Sequence, residues 1–142
     1  FYADKIEEIY GDISGFEIEY DVHKVIFEAE FAFVCSGTAT LETALIGTPF
    51  ILLYKAKPFD YHIAKMFVDL KFVGLANLIS IHFGYPPLHP ELVQEDCVAD
   101  KILYEFEHLN KESFIDGVKK LRNVLDNGCS KRVVEIIIED IK

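Results

Sequence analysis

Positive charge is scarce in this sequence. Only 14 lysines and arginines stand against 24 aspartates and glutamates, a net charge of −10 over 142 residues. A field of that sign repels nucleic acid, so no nucleic-acid partner is expected. A small anion is not excluded, because backbone N–H groups at one helix N-terminus bind phosphate locally whatever the total charge. Cysteine is also rare: Cys35, Cys97 and Cys129 are odd in number, far apart and without a C-x-x-C pair. That suggests neither a disulfide framework nor a cysteine zinc site, and it fits a reducing cytoplasm. The five histidines, His23, His62, His82, His89 and His108, lack the spacing that puts two ligands on one helix face, so neither metal nor cofactor is expected. No apolar run approaches the roughly 18 residues of a spanning helix, and no basic-then-apolar leader opens the chain. The expectation is a soluble, cytoplasmic protein. The chain opens at Phe1 without an initiator Met and enters an acidic helical stretch, Ala3 to Tyr10, at once, which reads as a fragment whose upstream sequence has been removed.

What the sequence does have is apolar material in quantity. Hydrophobic residues make up 51% and aromatics 13%, far from the composition that keeps chains disordered, and the length suits one domain or part of one. Short β-rich apolar runs ending in turn residues alternate with stretches of helical apolar spacing, the grammar of an α/β fold. Phe16 to Tyr20 alternates like an edge strand, and Asp21 caps a helix whose Val22, Val25, Ile26 and Ala29 share the face turned to the sheet. Phe31 to Cys35 reads as a strand covered on both faces, and Thr38 to Ile46 as a helix with Ala39, Leu41, Ala44 and Leu45 on its apolar side, stopped by Gly47 and Pro49. Phe50 to Tyr54 is a further buried strand. Tyr61 to Leu70 has helical spacing, Phe72 to Leu75 is β-like and ends at a polar break, Asn77, and His82 to Pro90 reads as a loop. Helices are predicted over Asp96 to Leu109, Ser113 to Asn127 and Ser130 to Ile141, with Gly128 as the break between the last two. The expected architecture is thus a single, partial domain over 1–142 with a Rossmann-like parallel sheet flanked by helices, and a C-terminal helical segment, 96–142, packed on it. The Val133 to Ile138 cluster is too broad for a solvated helix and suits docking on the sheet, on a missing domain or on another copy.

Chemistry concentrates in Cys35 to Glu42, where a buried strand passes into a helix, the position at which open α/β sheets bind ligands. Gly37 lets backbone approach closely, and the first N–H groups of the helix have no partner within it and carry the positive end of its dipole. Ser36, Thr38 and Thr40 add hydroxyls, so a diphosphate is the natural guest. Glu42 lies four residues after Thr38, one too far for a capping box. A carboxylate beside a diphosphate is repelled unless it faces hydroxyl groups, and a ribose offers two. Spacing alone leaves a second reading open, in which Ser36 or Thr38 simply caps the helix and Glu42 favours its dipole.

Several motifs in order carry a resemblance. The run Ser36-Gly37-Thr38-Ala39-Thr40-Leu41-Glu42 is followed by Gly47-Thr48-Pro49, by Tyr54-Lys55-x-Lys57-Pro58 and by Ile63-Ala64-Lys65. Phe72-Val73-x-Leu75-x-Asn77-Leu78 and Pro90-Glu91-Leu92-Val93-Gln94-Glu95-Asp96-Cys97 come next. Together they resemble the carboxyl-terminal half of the lipid-A-disaccharide synthases, best over Glu28 to Leu103. The sequence departs from that pattern in the loop holding His82 and His89, where a shorter stretch with glycine and arginine is typical, and at Ala76, where proline is usual.

The resemblance implies the nucleotide-binding domain of a GT-B-type glycosyltransferase with UDP as ligand. It implies transfer of an acylated glucosamine from its UDP donor, UDP-diacylglucosamine, to a lipid monosaccharide acceptor, an acylated glucosamine 1-phosphate, on the route to lipid A. UDP-binding residues by this resemblance are Ser36, Gly37, Thr38, Ala39, Thr40, Glu42, Tyr54, Lys55, Gln94 and Glu95, with Asn77 as candidate catalytic residue. No metal is implied, so the leaving diphosphate must be stabilised by fixed donors, the helix terminus with Lys55 or Lys57. The acceptor site and the general base have no counterpart in this chain, which is expected to be inactive alone. An apolar acceptor implies peripheral contact with the inner membrane, and the Ile-rich end allows a homodimer through the C-terminal helices. Two further readings share part of these features: another UDP-sugar enzyme, such as an epimerase, built on the same loop, and a non-catalytic interaction module. Each residue also has a plain structural role open to it: Asn77 as a strand terminus, the lysines as solvated charges, Gln94-Glu95 as the start of a helix.

Overall fold

The computed structural model describes residues 5–35, 37–56 and 71–125. The helices expected over Tyr61 to Leu70 and Ser130 to Ile141, and the Gly128 break, lie outside them. The elements in chain order are α1 (Ile6–Tyr10), α2 (Val22–Glu28), β1 (Ala32–Val34), α3 (Gly37–Ile46), β2 (Phe50–Tyr54), α4 (Leu75–His82), β3 (Glu91–Val93), a 3-10 turn (Gln94–Asp96), α5 (Ala99–His108) and α6 (Lys111–Val124). The three strands form a parallel sheet in the order β1-β2-β3, with Ala32 beside Phe50 and Leu52 beside Glu91. The fold is α/β with helices flanking a parallel sheet, as the residue pattern implies.

β2 is the central strand, and Phe50, Ile51 and Leu52 are fully buried, as an apolar run must be when helices or neighbouring structure cover both faces. Among the described strands β1 is an edge, and there the expectation of cover on both faces is corrected: Val34 is buried but Phe33 is 53% exposed. The same position explains α2. Asp21 does cap it, accepting from the Lys24 N–H at 3.1 Å, yet of the expected inward stripe only Ile26 is buried, while Val22 is 54% exposed. Phe16 to Tyr20 is no strand, since no described strand pairs with it; Glu19 there accepts from the N–H groups of Tyr20 and Asp21 ahead of α2.

α3 begins at Gly37 and turns its threonines inward. Thr40, Thr43 and Ala44 are its buried residues, whereas Leu45, expected inside, is 36% exposed. Burying threonine is tolerable because each hydroxyl is bonded to its own helix: Thr40 donates to the Gly37 carbonyl at 2.6 Å and Thr43 to the Ala39 carbonyl at 2.8 Å. Gly47 ends the helix at φ 104°, a conformation that costs glycine little, with its N–H on the Thr43 carbonyl. Arg122 of α6 then caps the terminal carbonyls of Leu45 and Ile46, placing a cation at the negative end of the helix.

The segment after 71 corrects the expected β-like run and break: Leu75 to His82 is a helix, and Asn77 lies in its first turn. Its apolar period is interrupted because Asn77 and Ser80 are buried polar residues, so the face it buries does not look apolar in sequence. Glu91 to Val93, only three residues long, is the third strand. α6 starts at Lys111, ahead of the expected Ser113, because Asn110 accepts from the Ser113 N–H at 2.9 Å. Its Phe114, Val118 and Leu121 close the core against Val34, Ala44, Phe50, Ala76 and Leu88. Leu121→Ala is expected to cost about 2–5 kcal/mol and Leu45→Ala about 1 kcal/mol or less. Urea unfolding of both variants checks this, and equal losses would contradict the burial described.

Candidate functional site

Parallel strands end on one side, so the segments following β1, β2 and β3 share the carboxyl edge of the sheet. Cys35 and Gly37 follow β1, Tyr54 and Lys55 lie at the end of β2, and Gln94 and Glu95 follow β3. Three separate groups of residues named from the sequence thus meet at the edge where open sheets take ligands. Ser36 lies outside the described residues.

The individual side chains differ in what they offer. Thr38 and Glu42 are exposed on the first turns of α3, Lys55 and Glu95 are exposed, and Ala39 and Tyr54 are half-buried. Thr40 is a correction. It is fully buried, and its hydroxyl, already donating to Gly37, accepts the Ala76 N–H at 3.2 Å, so a phosphate has no access to it. Gly37 has a second reason to be glycine: a Cβ there would lie 3.0 Å from the Val73 carbonyl oxygen, so the close approach it allows is to the protein's own backbone. Gln94 is buried with φ 56°, a left-handed conformation rare outside glycine, and its Nε2 has no hydrogen-bond partner among the described residues. It starts a 3-10 turn, not the next helix.

Asn77 lies in the interior, fully buried and saturated. Its Nδ2 donates to the His89 carbonyl at 2.9 Å and to Glu91 Oε1 at 2.7 Å, and its Oδ1 accepts from the N–H groups of Leu88 at 2.6 Å and His89 at 3.2 Å. With both donors and its acceptor engaged, the amide has nothing left for a substrate in this arrangement. What it holds is the Leu88-His89 turn leading into β3.

Glu91 and His89 do not stand out in the sequence as functional residues. Glu91 Oε2 accepts the Val73 N–H at 2.6 Å, and Oε1 accepts the Gly74 N–H at 3.1 Å, so a strand carboxylate caps α4, whose N-cap Gly74 has no side chain. His89 packs against Phe50, ring centroids 4.3 Å apart and planes tilted by 35°, with Nδ1 on the Pro90 carbonyl at 3.0 Å and an Nε2, without a hydrogen-bond partner among the described residues, located 3.9 Å from Glu91 Oε1. Burial pushes the imidazole pKa below its usual 6.5, against the opposing pull of the Pro90 carbonyl and the Glu91 carboxylate. The one available signal was composition: an acid inside the short apolar run after Pro90.

The parallel sheet with a glycine turn and helix at its carboxyl edge defines the class, a Rossmann-like α/β fold. The chain belongs to the lipid-A-disaccharide synthetase family, which its residues 2–131 match. It is 46% identical over 136 residues to a lipid-A-disaccharide synthase of Helicobacter pylori (strain Shi470), covering 90% of this chain and 38% of that protein. It is 44% identical over 140 residues to that of Helicobacter acinonychis (strain Sheeba), covering 93% and 39%. With that of Campylobacter jejuni (strain RM1221) the figures are 45% over 132 residues, covering 93% and 36%. The chain therefore spans less than two fifths of the length of these relatives. Among the described residues no helix is long and apolar enough to cross a membrane.

Two outcomes follow from the buried cluster. A Cβ on Gly74 would lie 2.8 Å from His89 Cε1 and 2.9 Å from Glu91 Oε1, so Gly74→Ala is expected to lower stability by about 1–3 kcal/mol in thermal melts. Above pH 6.5 neither folded nor unfolded chain carries the His89 proton; below it the unfolded chain takes up a proton that the folded one refuses. Stability should then fall as pH drops through that value, until the lower folded-state pKa is reached. His89→Gln should flatten this part of a stability-against-pH curve; an unchanged slope would exclude a neutral buried His89.

Proposed function

We propose that this chain is the nucleotide-binding part of a lipid-A-disaccharide synthase, a glycosyltransferase that uses a UDP-sugar. The observation that carries the reading is the convergence of Gly37-Thr38, Tyr54-Lys55 and Gln94-Glu95 on one edge of the sheet in a chain of that family. In this reading the first amides of α3 and the Thr38 hydroxyl bind the diphosphate, assisted by Ser36 and by the charge of Lys55. Glu42, exposed one turn further along α3, accepts from the ribose hydroxyls. Gln94 and Glu95 border the same cleft, and the unpartnered Gln94 amide supports a polar guest there.

The donor is a UDP-linked acylated glucosamine, and the acceptor is a lipid monosaccharide held by the part of the longer protein outside this chain. That part also carries the general base, so the chain by itself binds UDP without turnover. Contact with the inner membrane and assembly of two copies through the Ile-rich stretch, Val133 to Ile138, belong to the same reading.

Calorimetric titration tests it. The 142-residue chain should bind UDP, and Glu42→Ala should weaken binding by roughly tenfold or more, the effect of removing a charged acceptor. Equal affinity for both would remove the ribose assignment, and no heat with the unaltered chain would remove the UDP site.

A further inference from the structure

We propose that Glu91 is the positioning residue of the Gly37 turn, holding the backbone against which the nucleotide-binding end of α3 is set. The inference rests on the UDP-site reading above and adds a residue that touches no ligand in it.

The burial of Glu91 is unusual. The Glu91 side chain is only 5% exposed, and among the described residues no lysine or arginine forms an ion pair with it. A carboxylate in such surroundings is costly unless hydrogen-bond donors replace its water. Here three do: the N–H groups of Val73 and Gly74 and the Asn77 amide. The positive end of the α4 dipole points the same way.

The Val73–Gly74 peptide unit links this cluster to the proposed site. A peptide unit is planar and rigid. Its N–H, on Gly74, is gripped by Glu91 at 3.1 Å. Its carbonyl oxygen, on Val73, lies 3.0 Å from where a Gly37 Cβ would be. Moving the carboxylate therefore moves the surface on which Gly37 rests. A second link runs parallel to the first, because the Ala76 N–H donates to the Thr40 hydroxyl, which donates to the Gly37 carbonyl. Asn77 fixes Glu91 in turn, bonding Oε1 while its own oxygen holds Leu88 and His89. Thr40, expected to bind UDP, and Asn77, the candidate catalytic residue, act in this arrangement through the backbone of the turn.

The test compares the unaltered chain with Glu91→Gln and with Val118→Ala, a core truncation in α6 outside the network. Glutamine keeps the size but must aim an N–H2 at a neighbour that is already a donor. UDP affinity is measured by calorimetry, amide exchange over residues 37–42 and 73–76 by NMR, and global stability by melting. Glu91→Gln is expected to lose roughly tenfold or more in UDP affinity and to exchange faster at 37–42, while Val118→Ala keeps its affinity at comparable loss of stability. The proposal is overturned if the two variants lose affinity equally, or if Glu91→Gln leaves affinity and exchange at 37–42 unchanged. Faster exchange at 37–42 in a chain whose unaltered form binds no UDP would support the positioning link and defeat the nucleotide reading.

Discussion

A carboxylate in the interior, with no lysine or arginine among the described residues paired to it, must be surrounded by hydrogen-bond donors, and Glu91 takes two of them from the backbone of Val73 and Gly74. The turn from Val73 to Ala76 has no side chain of its own to cap α4, since Gly74 occupies the N-cap. The strand that follows 17 residues later supplies the cap. One interaction therefore satisfies the start of a helix, fixes the entry to β3 through Asn77, and holds the Val73 carbonyl where Gly37 packs on it. His89 fits the same constraint. Gly74 leaves room for its ring, and Phe50 covers the ring on the other side.

The polar interior and the carboxyl edge of the sheet are thus two layers of one arrangement. Thr40, Asn77 and Glu91 lie beneath; Thr38, Glu42, Lys55 and Glu95 lie above, exposed to solvent. Side chains in the lower layer are saturated by protein partners. Gln94 differs, being buried at the boundary in a left-handed conformation with an unpartnered amide, as residues at ligand sites often are. Such a division leaves the upper groups open to solvent above a turn held by protein partners.

Much of this was legible in the residues and some was not. β2 was read with its observed bounds because an unbroken apolar run between turn residues has few alternatives. Asp21 was read as a cap because capping is decided within three residues of chain. α4 is hidden in the sequence because Asn77 and Ser80 lie on its buried face, and β3 because three residues carry no period. The inward side of α3 was misjudged for a related reason: Thr40 and Thr43 are made fit for burial by hydroxyl bonds that apolar counting does not see.

By itself the sequence determined the α/β alternation, the place of the strand-to-helix turn at Gly37 and the family to which the chain belongs, because these rest on local pattern and on ordered motifs. Which polar residues are exposed at the sheet edge and which hold the interior was decided only by the tertiary structure. Asn77 and Glu91 lie 14 residues apart in the chain, Thr40 and Ala76 lie 36 apart, and the fate of a hydroxyl, amide or carboxylate depends on whether folding brings it a partner or leaves it to water.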